Sequence, residues 1–174
     1  MDPYPIRYER AIHEAAHCAV AKAMGRDIAY LELTDDGGAM LDVRPEKTRV
    51  KYFADLTPAQ NKARRVFAEN IREIAILEAG MAAQRNMIYG ATRAKAITQM
   101  GRKDLAAIEQ LFPPPGPVQR KRGKSIAERI VKEHWYGIRW LAEELVRRGR
   151  IEAGAQILDY TLGGITNREE WLYS

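Results

Sequence analysis

Three residues near the start of the chain, His13, Glu14 and His17, have the types and spacing of a zinc hydrolase site. They form the pattern "HEAAH" within the run "RAIHEAAHCAVAKAMG". Residues four apart on a helix lie on the same face, so both imidazoles can reach one zinc ion at about 2.0–2.1 Å. Glu14, beside the first histidine, can then accept a proton from the water that the zinc activates.

The same pattern also occurs on ordinary surface helices, where His13 and Glu14 would be solvated polar residues. Two features favour the metal site. The chain has 3 histidines, and two of them form this pattern. The neighbouring Ala15, Ala16 and Ala19 are small enough to let another backbone approach the site closely.

A catalytic zinc takes a third protein ligand and leaves its fourth position to water. The residue pattern leaves three candidates open. Asp104 opens an amphipathic segment after a glycine, although an acidic residue is also favoured in the first turn of any helix. Glu78 lies on an apolar helix face, where a carboxylate needs a metal, a basic residue or a hydrogen bond as partner. His134 precedes a tryptophan, far along the chain from the other candidates.

The elements that would position these residues are mainly helical. An alanine-rich stretch without proline predicts the helix that carries "HEAAH". Two short apolar segments around "TDDGG" predict a β-hairpin, and "TPAQ" has the form of a capping box at the start of a long helix. The proline-rich "PPPGP" breaks the helical pattern, and we expect "QRKRGK" after it to be an exposed basic loop. The predicted elements are a zinc helix at about 8–24, a hairpin at about 28–44, and helices at about 58–86, 101–111, 125–148 and 152–162.

Composition limits the class of protein. A chain of 174 residues with 46% hydrophobic and 29% charged residues is typical of a single globular domain, here spanning residues 1–174. Its single cysteine, Cys18, excludes an intrachain disulfide. Cys18 points about 100° away from His17 around the helix, so we expect it to be buried packing. No apolar run is long enough to cross a membrane and no signal pattern opens the chain, which favours a cytoplasmic location.

These motifs resemble the FtsH family of ATP-dependent zinc metalloproteases, in the family's order and over nearly the whole chain. "HEAAHCAVA" resembles its "HEAGHA" zinc helix, and "EAGMAAQRNMIYG" resembles its "GGRAAEE…FG" helix. "GRKDLAAIEQL" resembles the segment that supplies its aspartate ligand, and "IRWLAEELVRRGRIEAGAQIL" is similar to its closing helices. The resemblance implies that His13, His17 and Asp104 bind one zinc ion and that Glu14 is the general base. It also places the hairpin where the family's edge strand pairs with substrate.

The chain departs from the family in three respects. It has no pattern for the family's AAA ATPase module, such as the phosphate-binding loop "GxxxxGK[ST]", and no membrane anchor. The family's paired acids are replaced by Gln84 and Arg85. If the first of those acids orients a ligand histidine, Gln84 is the candidate that takes its place and carries no negative charge.

The sequence therefore predicts a mainly α metallopeptidase domain with one small hairpin, acting on extended or unfolded peptide segments without ATP. The alternative is a peptidase-like domain with weak or no activity that serves as a binding or regulatory module. A separate unfoldase and a second copy of the chain are open as partners. We do not expect nucleic-acid binding, because the basic run at 120–124 has no interleaved aromatic residue to stack on bases.

Overall fold

The computed structural model describes residues 6–33, 39–44, 53–87 and 101–173. Within these ranges the chain is mainly helical, with one small antiparallel sheet, which confirms the predicted fold class. In chain order the elements are α1 (Ile6–Ala23), β1 (Asp27–Leu33), β2 (Ala39–Arg44), α2 (Pro58–Met87), α3 (Arg102–Glu109), α4 (Pro117–Glu133), α5 (Trp135–Arg148), β3 (Arg150–Glu152), α6 (Gln156–Leu162) and a 3₁₀-helix (Glu169–Leu172). None of the described helices has the length and hydrophobicity that a membrane crossing requires.

Helix α1 lies at the centre of the fold. It packs against α2, α4, α5 and both strands of the hairpin, so nearly its whole circumference is covered. Alanines such as Ala15 and Ala19 are fully buried and keep these neighbours close. A helix enclosed in this way places even its polar side chains in the interior. His13 and His17 are each only 6% exposed.

Helix α2 begins where the sequence predicts. The Gln60 backbone N–H donates to Thr57 Oγ1 at 3.2 Å, and the Thr57 N–H donates to Gln60 Oε1 at 2.8 Å, which completes the capping box. The helix starts in solvent and becomes buried from Ala68 to Gln84. Its buried half lies along α1 on one side and along α4 on another.

The sheet has three strands in the order β2-β1-β3, all antiparallel. The hairpin is present, and its predicted turn, at residues 34–38, lies outside the described residues. Strand β3 was not predicted, because three residues are too few to show an alternating pattern. It pairs with Tyr30–Glu32 of β1. Because β3 occupies Arg150–Glu152, the last predicted helix begins at Gln156 and not at residue 152. Among the described residues, β1 is therefore the central strand and β2 and β3 are the outer ones.

The prediction for residues 119–148 was wrong in two ways. The run "QRKRGK" is helical, because Pro117 occupies the first turn of α4 and the Gln119 side chain accepts the Gly116 N–H at 2.7 Å. The single predicted helix 125–148 is two helices, divided at His134, whose backbone angles of φ −111° and ψ 22° are not helical. Gly123 explains why α4 fits here: a side chain at this position would overlap Ile74 of α2.

Candidate metal centre

Four side chains from two separate helices meet beside α1. His13, Glu14 and His17 each offer one donor atom, and these atoms lie within 4.8 Å of one another. Asp104 comes from α3, and its Oδ2 lies 3.0 Å from His13 Nε2 and 3.5 Å from His17 Nε2. One carboxylate oxygen is thus close to the same nitrogen of both rings.

These distances match what a zinc ion requires. Ligand atoms at about 2.0–2.1 Å from a tetrahedral zinc are roughly 3.3 Å apart, which is between the two distances to Asp104. The ring centroids are 4.6 Å apart with planes at 70°, so the two imidazoles converge without stacking. The donor set of two imidazoles and one carboxylate is also one that catalytic zinc sites use. The residues therefore fit the metal that the sequence implies.

The second nitrogen of His17 is held by the backbone of α2. His17 Nδ1 donates a hydrogen bond to the Ile76 carbonyl at 2.6 Å, in a buried position. This bond assigns a proton to Nδ1, so Nε2 is the ring nitrogen that faces Asp104 and that a metal ion would use. Metal-binding histidines are commonly oriented by such a bond to a carbonyl.

The His13 ring lies directly against Gly80. A Cβ atom at position 80 would overlap three ring atoms of His13, so only glycine leaves room for the imidazole between α1 and α2. His13 Nδ1 is buried and has no hydrogen-bond partner among the described residues. A buried polar nitrogen without a partner costs about 1–3 kcal/mol, a cost that a functional site can carry.

Gln84 follows Gly80 by one helical turn and so lies on the same face of α2. Its side chain is 1% exposed, among the most deeply buried polar side chains described. The contacts His17–Ile76 and His13–Gly80 show that α1 and α2 run antiparallel here, which places Gln84 just beyond His13. The sequence suggested Gln84 as the acceptor for a proton on His13 Nδ1, but no hydrogen bond joins its Oε1 to that nitrogen in the structure, and its amide carries no charge.

Glu78 and His134, the other sequence candidates, lie apart from this group. Glu78 has a basic partner, since Arg85 Nη2 lies 3.5 Å from its Oε2. His134 lies at the junction of α4 and α5 and is partly exposed. The pKa of His134 is lowered, chiefly because partial burial disfavours its charged form. Cys18 is fully buried, and burial raises the pKa of its thiol well above the usual range, as expected of a packing residue.

Electrostatics couple His17 to Asp104. Burial alone would lower the pKa of His17, but the hydrogen bond to Asp104, the charges of Glu14 and Asp104 and the Ile76 carbonyl together raise it to about 8. Burial would raise the pKa of Asp104, yet its bonds to the two histidines hold it well below the usual range. Without metal, the site therefore holds a proton on His17 at neutral pH.

Sequence reasoning missed Gly80 and the Ile76 carbonyl. A glycine inside a long helix costs about 1 kcal/mol relative to alanine, so Gly80 was a signal of close backbone approach that could have been used. The Ile76 carbonyl left no such signal, because backbone groups are present at every position.

Comparison with protein-family models and with curated protein sequences finds no match for this chain.

The first prediction concerns the third ligand. Asp104→Ala should weaken zinc binding by more than about 100-fold, because removal of an outer partner alone typically costs 10–100-fold. His134→Ala and Glu78→Ala should bind zinc like the wild type. Competition with a chromophoric chelator gives the three affinities. Full zinc affinity in Asp104→Ala, or its loss in His134→Ala, would contradict the assignment.

The second prediction concerns Gly80. Gly80→Ala should displace the His13 ring and weaken zinc binding by at least tenfold, measured by the same chelator competition. Gly164→Ala is the control, because a Cβ at position 164 meets open space. Equal affinities in the two variants would mean that the contact between His13 and α2 does not shape the site.

The third prediction concerns protons. Zinc requires neutral histidine, so binding at pH 7 should release about one proton, from His17. The affinity should rise about tenfold per pH unit from pH 6 to 7 and level off above about 8, where His17 is already neutral. Calorimetry in buffers of different ionisation enthalpy counts the protons. Binding at pH 7 without proton release would show that His17 is neutral in the metal-free chain.

Proposed function

We propose that this chain is a zinc-dependent endopeptidase of the HExxH type. One observation carries the proposal: Asp104, from a helix far along the chain, places one carboxylate oxygen 3.0 and 3.5 Å from the Nε2 atoms of His13 and His17. If the two histidines were only packing residues of a buried helix, a carboxylate beside both of their Nε2 atoms would have no evident role. The resemblance of the motifs to the FtsH family supports the same ligand set.

His13, His17 and Asp104 would hold the ion, and a neighbouring group holds each of them in position. His17 is oriented by the Ile76 carbonyl, His13 is seated against Gly80, and Asp104 is fixed by both rings. When bound, zinc lowers the pKa of a coordinated water to about 7 and polarises the peptide carbonyl. The two histidines are buried, and the Asp104 side chain is 17% exposed.

Glu14 would move the proton. It is more exposed than either histidine, and its carboxylate lies within 4.8 Å of both rings. As the water oxygen bonds to the peptide carbon, Glu14 accepts the water proton. It then gives that proton to the amide nitrogen as the C–N bond breaks, so that a carboxylic acid and an amine leave. Glu14 ends the cycle as a carboxylate.

The substrate would be an extended peptide segment. A peptide can add to a sheet only at an unpaired edge, and β1 already has strands on both sides. Of the two outer strands, β2 packs against α1, the helix that carries the histidines. The edge of β2 is therefore the better place for a peptide to lie across the site. A folded protein cannot present a free strand in this way, which favours flexible or unfolded substrates.

The fourth prediction tests catalysis. Glu14→Gln should keep zinc, because Glu14 is not a ligand, and should lower the rate of casein cleavage by about 10²–10⁴-fold, because the proton acceptor is lost. Glu143→Gln is the matched control, because Glu143 is an exposed residue of α5, and it should cleave like the wild type. Product peptides are counted by mass spectrometry. A Glu14→Gln variant that cleaves casein normally would refute the proposed base.

A second candidate function is a peptidase-like binding or regulatory module without activity. Gln84 favours it, because this deeply buried amide stands where the resembling family has an acid and cannot supply negative charge beside His13. This candidate predicts normal zinc binding and equal, negligible cleavage by the wild type and Glu14→Gln. The same assay therefore separates the two functions.

A further inference from the structure

An open pocket lies between α4 and the 3₁₀-helix at the end of the described chain. It encloses about 220 Å³ and is lined by Arg122, Ser125, Ile126, Arg129 and Trp171. The four residues from α4 are spaced i, i+3, i+4 and i+7, so they share one face of the helix. None of the residues of the metal centre lines this pocket.

The pocket is on a different side of α2 from the metal centre. Helix α4 approaches α2 at Gly123, which packs against Ile74, whereas His17 bonds to Ile76. Residues 74 and 76 are about 200° apart around the helix axis. A ligand in this pocket would therefore not touch the zinc ligands.

The indole of Trp171 orients Arg129. The Arg129 Cζ lies 4.1 Å from the ring centroid, so the flat guanidinium covers the ring. Its Nε donates to Glu133 at 2.9 Å. The face of the guanidinium and its Nε therefore already have partners. The edge formed by the two Nη groups is left to bind a ligand. A guanidinium edge of this kind donates two parallel hydrogen bonds to an oxyanion.

Arg122 is fixed on the same side of the pocket. Its Nη2 donates to the Trp171 carbonyl at 3.0 Å, which ties the guanidinium to the 3₁₀-helix. No carboxylate among the described residues pairs with it. Ser125 lies between Arg122 and Arg129 on α4 and adds a hydroxyl group. Two cationic donors and one hydroxyl thus line one opening.

The local charge is not balanced. Arg168 also lies near the Trp171 indole, with its Cζ 5.2 Å from the ring centroid, so two guanidiniums flank this ring. Glu133 pairs with Arg129, and the nearby Glu169 is engaged by Arg72 at 2.6 Å. These pairs leave Arg122 and Arg168 without a carboxylate partner in the part of the chain that the structure describes. Of the two arginines that line the pocket, Arg122 therefore has no carboxylate beside it, which favours an anionic ligand.

We propose that this pocket binds a small phosphate monoester or inorganic phosphate. A phosphate group is a tetrahedral dianion near neutral pH, with several oxygens for donors that approach from different directions. Arg122, Arg129 and Ser125 supply such donors, and charge-assisted bonds from arginine to phosphate are among the strongest that proteins make. A carboxylate offers two oxygens to these three donor groups, whereas a phosphate monoester offers at least three.

The fifth prediction is tested on the zinc-loaded full chain by isothermal titration calorimetry. Inorganic phosphate and glycerol 3-phosphate are titrated separately, with sodium chloride at matched ionic strength as the blank. We expect one site per chain with a Kd below about 1 mM for at least one of the two phosphates. The tighter of them identifies whether the free ion or an ester is the better ligand.

Variants locate the site. Arg129→Gln should weaken phosphate binding at least tenfold, and it leaves the bond between Arg122 and Trp171 in place, so folding should be preserved. Arg122→Gln should do the same, with circular dichroism as the check on folding. Arg147→Gln is the matched control, because this exposed arginine on α5 pairs with Glu144 away from the pocket.

Three results would overturn the proposal: no saturable binding of either phosphate up to 10-fold above the expected limit, the same heat from chloride, or equal binding by Arg129→Gln and the wild type. None of these results bears on zinc, because the metal ligands are untouched in every variant. Failure here would leave the proposed peptidase as it stands.

Discussion

The burial of two imidazoles between α1 and α2 is the constraint on which the site depends. Side chains as large as histidine fit between packed helices only where the opposite residue is very small, and Gly80 meets this need for His13. His17 is accommodated differently, because its Nδ1 reaches the Ile76 carbonyl and replaces the water it has lost. The alanines of α1 keep the remaining neighbours close. The helix packing thus sets the position of both rings before any metal is considered.

Burial also decides the chemistry. Two rings and a carboxylate in a largely dry position must share charge, and in the metal-free chain they do so through a proton held between His17 and Asp104. A divalent cation can replace that proton and satisfy all three groups at once. In this account the proton and the metal compete for the same lone pairs. Asp104 has the same role in both states, because it neutralises whichever positive charge the rings hold.

Much of the fold could be predicted from the sequence, for reasons that are local. Alanine content predicted α1, and the reciprocal bonds of Thr57 and Gln60 begin α2 where the capping pattern indicated. Predictions failed where tertiary contacts outweighed local signals. Strand β3 pairs with the side of β1 that β2 does not occupy. The basic run after Pro117 is helical because Gln119 accepts the Gly116 N–H and because Gly123 lets the helix pack against Ile74 of α2. In the site, "HEAAH" gave two rings and a base, but their partners on α2 could not be read from spacing alone.

We propose that zinc is held by two imidazoles and by a carboxylate from a separate helix. X-ray absorption at the zinc K-edge, on the chain loaded with one equivalent of zinc, tests it most directly. We expect nitrogen and oxygen ligands alone at about 2.0–2.2 Å, two of them imidazoles, with one carboxylate oxygen lost in Asp104→Ala. A sulfur ligand at about 2.3 Å, which could come only from Cys18 or a methionine, would contradict it, and so would a spectrum that Asp104→Ala leaves unchanged.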